Sequence, residues 1–462
     1  MALFHSSPTW ALFFFFFFFF SAIAISRQQP LLDSAEQESV YRVLDSINSD
    51  IPWRSQFADD LCSYSPNGVV CEYFSESGDV SSPDSAHITE LSFGYDSDFA
   101  TSPPCSPNST LNPVLFTSFK YLRKLFFYKC FKNAPVSVPD VGPSFGSSLE
   151  EVVFVENPSF VATISGLIRN FSSLRRVVLT GNGISGEIPD GVGDLVNLEE
   201  LTLSRNRLSG KTDDIDLSKL KKLKILDLSQ NSFEGDVPSS MANLSELMKL
   251  DLSSNRFSGK IPESFRALQK LEFLDLSFNR FGNFGVPLFL AEMPKLRDVY
   301  LSGNHLGGKL PDMWKNLGGV LRIGFSDMGL EGPIPASMAV HLRNLCYLGL
   351  DNNKLEGSVP EEFWLLDSVN EINLENNRLS GKVSFPRNFS SRIGLKLKLG
   401  GNPKLCLCSA KSSNGCLGKL KLTRETQRPN AGAIDRSSST QVFPLMVIIS
   451  MVIEFLVLFL ST

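Results

Sequence analysis

The chain has 462 residues, of which 42% are hydrophobic, and a net charge of -5. It can therefore bury a sizeable core, and it lacks the charge excess that would draw it to nucleic acid. Its four histidines show no H-E-x-x-H spacing and no paired-carboxylate site stands out, so no enzymatic constellation is offered and no cofactor is implied.

In chain order, residues 1–24 read as a signal peptide. Phe13 to Phe20 form an apolar run too short to span a bilayer comfortably, and Ala22-Ile23-Ala24 fits a small-x-small cleavage site. Residues 27–114 are expected to hold an N-terminal cap and an irregular segment. Glu36 to Ile47 has helical spacing, with Val40, Val43, Leu44 and Ile47 on one face. Trp53 and a Cys62–Cys71 pair would close the cap, and the Ser/Pro/Asp-rich stretch from Ser75 to Pro113 is expected to be irregular.

Residues 115–405 are a repeat array. The segments SLRRVVLTGNGISGEIP, KLKILDLSQNSFEGDVP and ELMKLDLSSNRFSGKIP share the pattern L-x-x-L-x-L-x-x-N-x-L-x-G-x-I-P. Its Asn falls at Asn182, Asn206, Asn231, Asn255, Asn279, Asn304, Asn353, Asn377 and Asn402, spaced by 24 or 25 residues, with Met328 in the slot between Asn304 and Asn353. Two looser units precede these, with Cys130 and Asn157 in the slot, which makes about twelve repeats. Each unit is too small to bury its leucines alone, so the units must stack into one continuous core. The expected fold is an α/β solenoid, a curved right-handed stack with disulfide-bonded caps. The slot Asn would bond backbone groups of adjacent turns, and a weaker turn is expected at Met328. Lys211 to Leu220 and Gly282 to Pro287 lack a regular I-P and are expected to be local loops.

Residues 406–418 carry the cysteines of a second cap, 419–441 read as a flexible stalk, and 442–462 are apolar. Asn430-Ala431-Gly432, a mostly polar spacer and the apolar tail have the form of a GPI signal with attachment at Asn430; a retained transmembrane helix is the other reading. The eight cysteines lie mostly toward the two flanks, as disulfide staples of an oxidising compartment would. The expected pairs are Cys62–Cys71, Cys105–Cys130, and Cys416 with Cys406 or Cys408, leaving Cys346 over or paired with the spare C-terminal cysteine. Four N-x-S/T sequons, at Asn108, Asn170, Asn243 and Asn388, are candidate glycosylation sites. Gly210-Lys211-Thr212 and Gly303 to Lys309 look like fragments of a phosphate loop, but both are repeat consensus and no nucleotide site is expected.

The repeat unit as it stands in residues 174–189 and 247–262 resembles the plant extracellular leucine-rich repeat. The chain as a whole resembles a plant receptor-like protein, similar in size to the Too Many Mouths group. That resemblance implies a cell-surface receptor-like protein without a kinase domain. It would bind peptide ligands or receptor kinases on the extracellular face of the plasma membrane, in developmental or defence signalling. The alternative is an apoplastic inhibitor of a secreted hydrolase.

The concave strand face, turned away from the core, is the expected working surface. Its outward positions include Lys124, Phe126, Tyr128, Arg176, Val178, Thr180, Lys249, Asp251, Phe273, Asp275, Asp298, Tyr300, Arg322, Tyr347, Asp351, Glu371 and Glu375. Aromatics and Arg are over-represented among binding hot spots, so Phe126, Tyr128, Phe273, Tyr300, Arg322 and Tyr347 are the candidate ligand- or partner-binding residues. The competing reading is that these rings pack laterally on neighbouring strands. Asp227, Asp251 and Asp275 read as repeat filler on a solvated side.

Overall fold

Two periods are interleaved in each repeat, and they build two kinds of strand. In the computed structural model, which describes residues 30–74, 85–95, 102–138, 147–165, 171–212 and 215–407, the x-L-x-L segments form one 14-stranded sheet. Its first two strands, β1 (Val69–Phe74) and β2 (Ser85–Gly94), are antiparallel. From β2 onward neighbours run parallel, beginning with β3 (Lys124–Tyr128). The x-L-x-G segments form two further parallel sheets of five and four strands. The Pro of I-P then leads into a short helix, as Pro262 does before Glu263–Ala267 and Pro360 before Glu361–Leu365. Most of these helices are single 3-10 turns.

Alternation along the strand sends Leu250, Leu252, Leu274 and Leu276 inward, where all are fully buried. Burying each such side chain contributes about 1.5–3 kcal/mol, which explains why the units hold only as a stack. Toward the N-terminus phenylalanine takes over: Phe93, Phe127, Phe154 and Phe160 follow one another with ring centroids 5.0, 4.8 and 4.6 Å apart.

The slot asparagines form the ladder. Asn279 donates from Nδ2 to the carbonyls of Leu252, Leu276 and Ser277, and its Oδ1 accepts from the amide of Phe257. Met328 cannot do this, and its side chain is buried as an apolar filler. The turn keeps its shape all the same. Asp327 has φ 52°, like the residues preceding the slot in the other repeats, and Asn353 Oδ1 accepts from the amides of both Met328 and Leu330. Of the two expected loops, Gly282–Pro287 carries an exposed Phe284, yet Val286 is buried and Pro287 still starts a helix at Leu288; Val-Pro has replaced Ile-Pro. In the other, the short-sheet strand Arg207–Lys211 runs into the stretch and Thr212, Ile215 and Leu217 are buried.

The cap helix, Ser34–Ile47, is capped by Asp33 and buries Val40, Tyr41, Val43, Leu44 and Ile47. Trp53 is buried, its Nε1 donating to the Asn48 carbonyl at 2.8 Å. Disulfides join Cys62 to Cys71 and Cys105 to Cys130. Cys406 is disulfide-bonded to a partner outside the described residues, and Cys346 is free. One expectation is overturned: the stretch from Ser75 to Pro113 is not irregular throughout. It contains β2, which buries Ile88, Leu91 and Phe93 and pairs in parallel with β3. β2 thus adds one further strand to the long sheet.

Residues 1–24, Asn170, Cys408, Cys416, Asn430 and the segments 419–441 and 442–462 lie outside the described residues. Among the described residues no helix is long and apolar enough to cross a membrane. Asn108, Asn243 and Asn388 are exposed.

Candidate functional site

Parallel register turns outward positions into continuous columns across the sheet. One column begins Glu90, Lys124, Glu151, Arg176, Glu200. Charges alternate along it, and Lys124 lies 3.8 Å from both Glu90 and Glu151 while Arg176 lies 3.5 Å from Glu151 and 2.8 Å from Glu200. This half of the face satisfies itself. Phe126 and Tyr128 sit beside that ladder, half-buried, with ring centroids 6.3 Å apart, and the neighbouring outward Val153 and Val178 are buried. For these two aromatics lateral packing accounts for the contacts.

Beyond Ile225 the same column continues Lys249, Phe273, Asp298, Arg322, Tyr347, Glu371. Four of the candidate residues, Phe273, Tyr300, Arg322 and Tyr347, therefore meet on four successive strands. The rings of Phe273 and Tyr300 are 5.8 Å apart, and Lys249 Nζ lies 5.4 Å from the Phe273 centroid. Arg322 is exposed and donates from Nη1 to Asp298 Oδ2 at 3.0 Å; Asp298 Oδ1 is buried with no hydrogen-bond partner among the described residues. Burial pushes the Asp298 carboxyl above its ordinary value, against the pull of Arg322. Burial likewise raises the Tyr300 hydroxyl, helped by Asp298, and pushes that of Tyr347 up to about 12, helped by Asp351 and Glu371. Both phenols are thus neutral donors across the physiological range.

Two glycines that the sequence reading passed over shape this patch. Gly324 and Gly349 follow Tyr300 in its own column, beside the column that holds Tyr347. A Cβ on Gly324 would lie 2.6 Å from Tyr300 Cδ1, and one on Gly349 would lie 2.7 Å from the Tyr347 hydroxyl oxygen. The rings lie down over the sheet because nothing stands in those places. The signal was present as a Gly in the third strand position of two consecutive units, RIG and YLG.

Asp227, Asp251 and Asp275 stand in register, one above another. Asp227 is 4% exposed while Asp251 and Asp275 are half-buried, and each Oδ1 accepts from the amide and hydroxyl of the Ser two residues on. Burial pushes the Asp275 carboxyl up to about 6, the Ser277 bonds opposing it. Burial and the charges of Asp227 and Asp275 hold Asp251 well above the usual carboxylate range. Lys249, 3.3 Å from Asp227 Oδ2, is the cation paired to this stack.

Comparison with known proteins agrees with this architecture. The "Leucine rich repeat" family profile matches residues 172–233 and 221–281, and the related "Leucine Rich Repeat" profile matches 295–317 and 344–366. Piriformospora indica-insensitive protein 2 of Arabidopsis thaliana is 33% identical over 162 residues, 35% of this chain and 35% of that protein. Protein TOO MANY MOUTHS of Arabidopsis thaliana is 34% identical over 165 residues, 36% of this chain and 26% of that one. The aligned stretches thus span about a third of these relatives' length or less. The crystal structure of the Arabidopsis receptor kinase HAESA, in complex with the peptide hormone IDA and the co-receptor SERK1, matches with a TM-score of 0.55 and 27% identity, covering 70% of this chain and 53% of that one. On its repeats, its long parallel sheet and these matches, the chain is a leucine-rich-repeat solenoid whose repeats are similar to those of plant leucine-rich-repeat receptor-like proteins.

Proposed function

We propose that this chain is a cell-surface receptor-like protein that binds a peptide ligand, or the ectodomain of a receptor kinase, across the row Phe273, Asp298, Arg322 and Tyr347. The observation that carries the reading is the convergence of aromatic rings, an exposed guanidinium and a buried unpartnered carboxylate oxygen on four successive strands. Hot spots combine such anchors with polar groups left for a partner to satisfy. The likeness to a receptor kinase solved with a peptide hormone and a co-receptor supports the same class of partner. The apolar segment 442–462 supports anchorage on the extracellular face of the plasma membrane, by a GPI anchor or a helix, and the exposed sequons suit a glycoprotein.

The test is purification of the full chain from plant membranes with mass spectrometry of what accompanies it, set against the triple variant Tyr300→Ala, Arg322→Ala, Tyr347→Ala. A receptor kinase or peptide recovered with the parent and lost from a folded variant supports the reading. Equal recovery on both sinks it. Release of the chain by a phosphatidylinositol-specific phospholipase separates the two anchors.

A further inference from the structure

Apart from the aromatic row, on the edge where strands turn off the long sheet, the early repeats carry an open cleft of about 350 Å³ lined by Lys129, Lys132, Glu156, Pro158, Gly181 and Arg205. Four of these residues occupy one structural position in consecutive repeats. Lys129, Glu156, Gly181 and Arg205 all have left-handed backbone, with φ of 56, 55, 70 and 57°. In later repeats the non-glycine residues at this position are Gln230, Ser254, Phe278, Asp327, Asn352 and Asn376, none of them cationic. At this position, cationic side chains are therefore confined to the repeats that line the cleft.

Gly181 puts no side chain between its neighbours. Arg205 reaches across it to Glu156 Oε1 at 3.3 Å, and Lys129 approaches Oε2 at 3.7 Å. Lys132 is exposed and pairs with no carboxylate among the described residues. Three cations thus face one carboxylate. The Lys129 and Arg205 side chains keep 39% and 49% exposure, so their pairs with Glu156 contribute little and yield readily to an incoming anion. The lining contains no aromatic and only Pro158 as an apolar side chain. A peptide docks through apolar anchors, which this cleft lacks. A polymer that is hydrophilic along its length and carries repeated carboxylates needs none.

We infer that this cleft binds an acidic carbohydrate, a uronate-bearing oligosaccharide, with its carboxylates on Lys132, Arg205 and Lys129. The site is separate from the aromatic row and does not depend on the reading given for it.

The full chain titrated with a galacturonate hexamer at low ionic strength should bind it, with affinity falling as salt rises. The methyl-esterified hexamer should bind at least tenfold more weakly. Lys132→Ala combined with Arg205→Ala should weaken binding of the acid at least tenfold with an unchanged thermal midpoint, and Glu156→Gln, which removes the internal competitor, should strengthen it severalfold. Should the double variant misfold, Lys132→Ala alone, at an exposed residue, is expected to weaken binding threefold or more. Equal affinity for acid and ester, or indifference to these substitutions, overturns the assignment. So does tighter binding at this cleft of a sulfotyrosine peptide of equal charge, which would make it an acidic-peptide site.

Discussion

Gly324 lies beneath the ring of Tyr300, so close that a Cβ there would stand 2.6 Å from Cδ1. The tyrosine's pose thus depends on a missing side chain on the next strand. Gly324→Ala is expected to tilt the ring off the sheet, cutting affinity for the row's partner severalfold while costing about 1 kcal/mol or less in stability, since cross-strand pair terms are of that order. Near-ultraviolet circular dichroism of the variant should change in the tyrosine bands. An unchanged spectrum with unchanged binding would show that the ring does not rest where described.

Asn279 makes four hydrogen bonds with buried backbone or its near neighbours. Asn279→Ala leaves several of those groups unsatisfied, at about 1–3 kcal/mol for each that is cut off from water. A loss of about 3 kcal/mol or more is expected in denaturant unfolding. A change under about 1 kcal/mol would mean that water replaces the ladder.

Asp275 titrates near 6 when folded, above its ordinary 3.8. Between those values the folded chain holds a proton that the unfolded chain has released. This group's contribution to stability is therefore full below about pH 4 and is lost as pH rises through about 6. Asp275→Asn keeps an acceptor for Ser277 and removes the charge. It should raise stability at pH 7 by on the order of 1–3 kcal/mol and flatten the fall between pH 4 and 7. Parallel pH profiles for parent and variant would refute this.

The Cys105–Cys130 disulfide closes a loop of 25 residues between the cap and the first repeats. Replacing both cysteines by serine is expected to cost about 2–4 kcal/mol and to raise hydrogen exchange selectively in the cap and β2. Uniform exchange along the array would contradict a local role.

The repeat array was legible because its contacts are nearly one-dimensional: Leu250 and Leu274 pack on equivalents one unit away, so spacing alone places them. β2 escaped notice for the converse reason. Ile88, Leu91 and Phe93 follow the pattern, but Asp96 stands in the Asn position and the step from there to Cys130 is 34 residues, not 24 or 25. The outward rings could be read from alternation, but their grouping could not. Phe126 and Phe273 look alike in sequence. What separates them is the cross-strand company of each: buried valines around the first, Asp298 and Tyr300 beside the second. The burial of Asp227 was not legible, because alternation tells which way a residue points and not how closely its neighbours crowd it.

The x-L-x-G strands form a run ending at Arg280–Phe281 and another starting at Glu331–Gly332, with isolated bridges, Gly282 to His305 and Lys309 to Glu331, across the interval. Gly307 and Gly308, both with positive φ, fall in that interval. One of the solenoid's two hydrogen-bonded seams therefore thins out over this interval while the long sheet runs through it unbroken. Phe273, Asp298, Arg322 and Tyr347 lie on the strands that span it. A molecule seated on that row would bridge the repeats on either side of this thinner seam, so its contacts would tie together turns that share fewer strand pairs on their other edge.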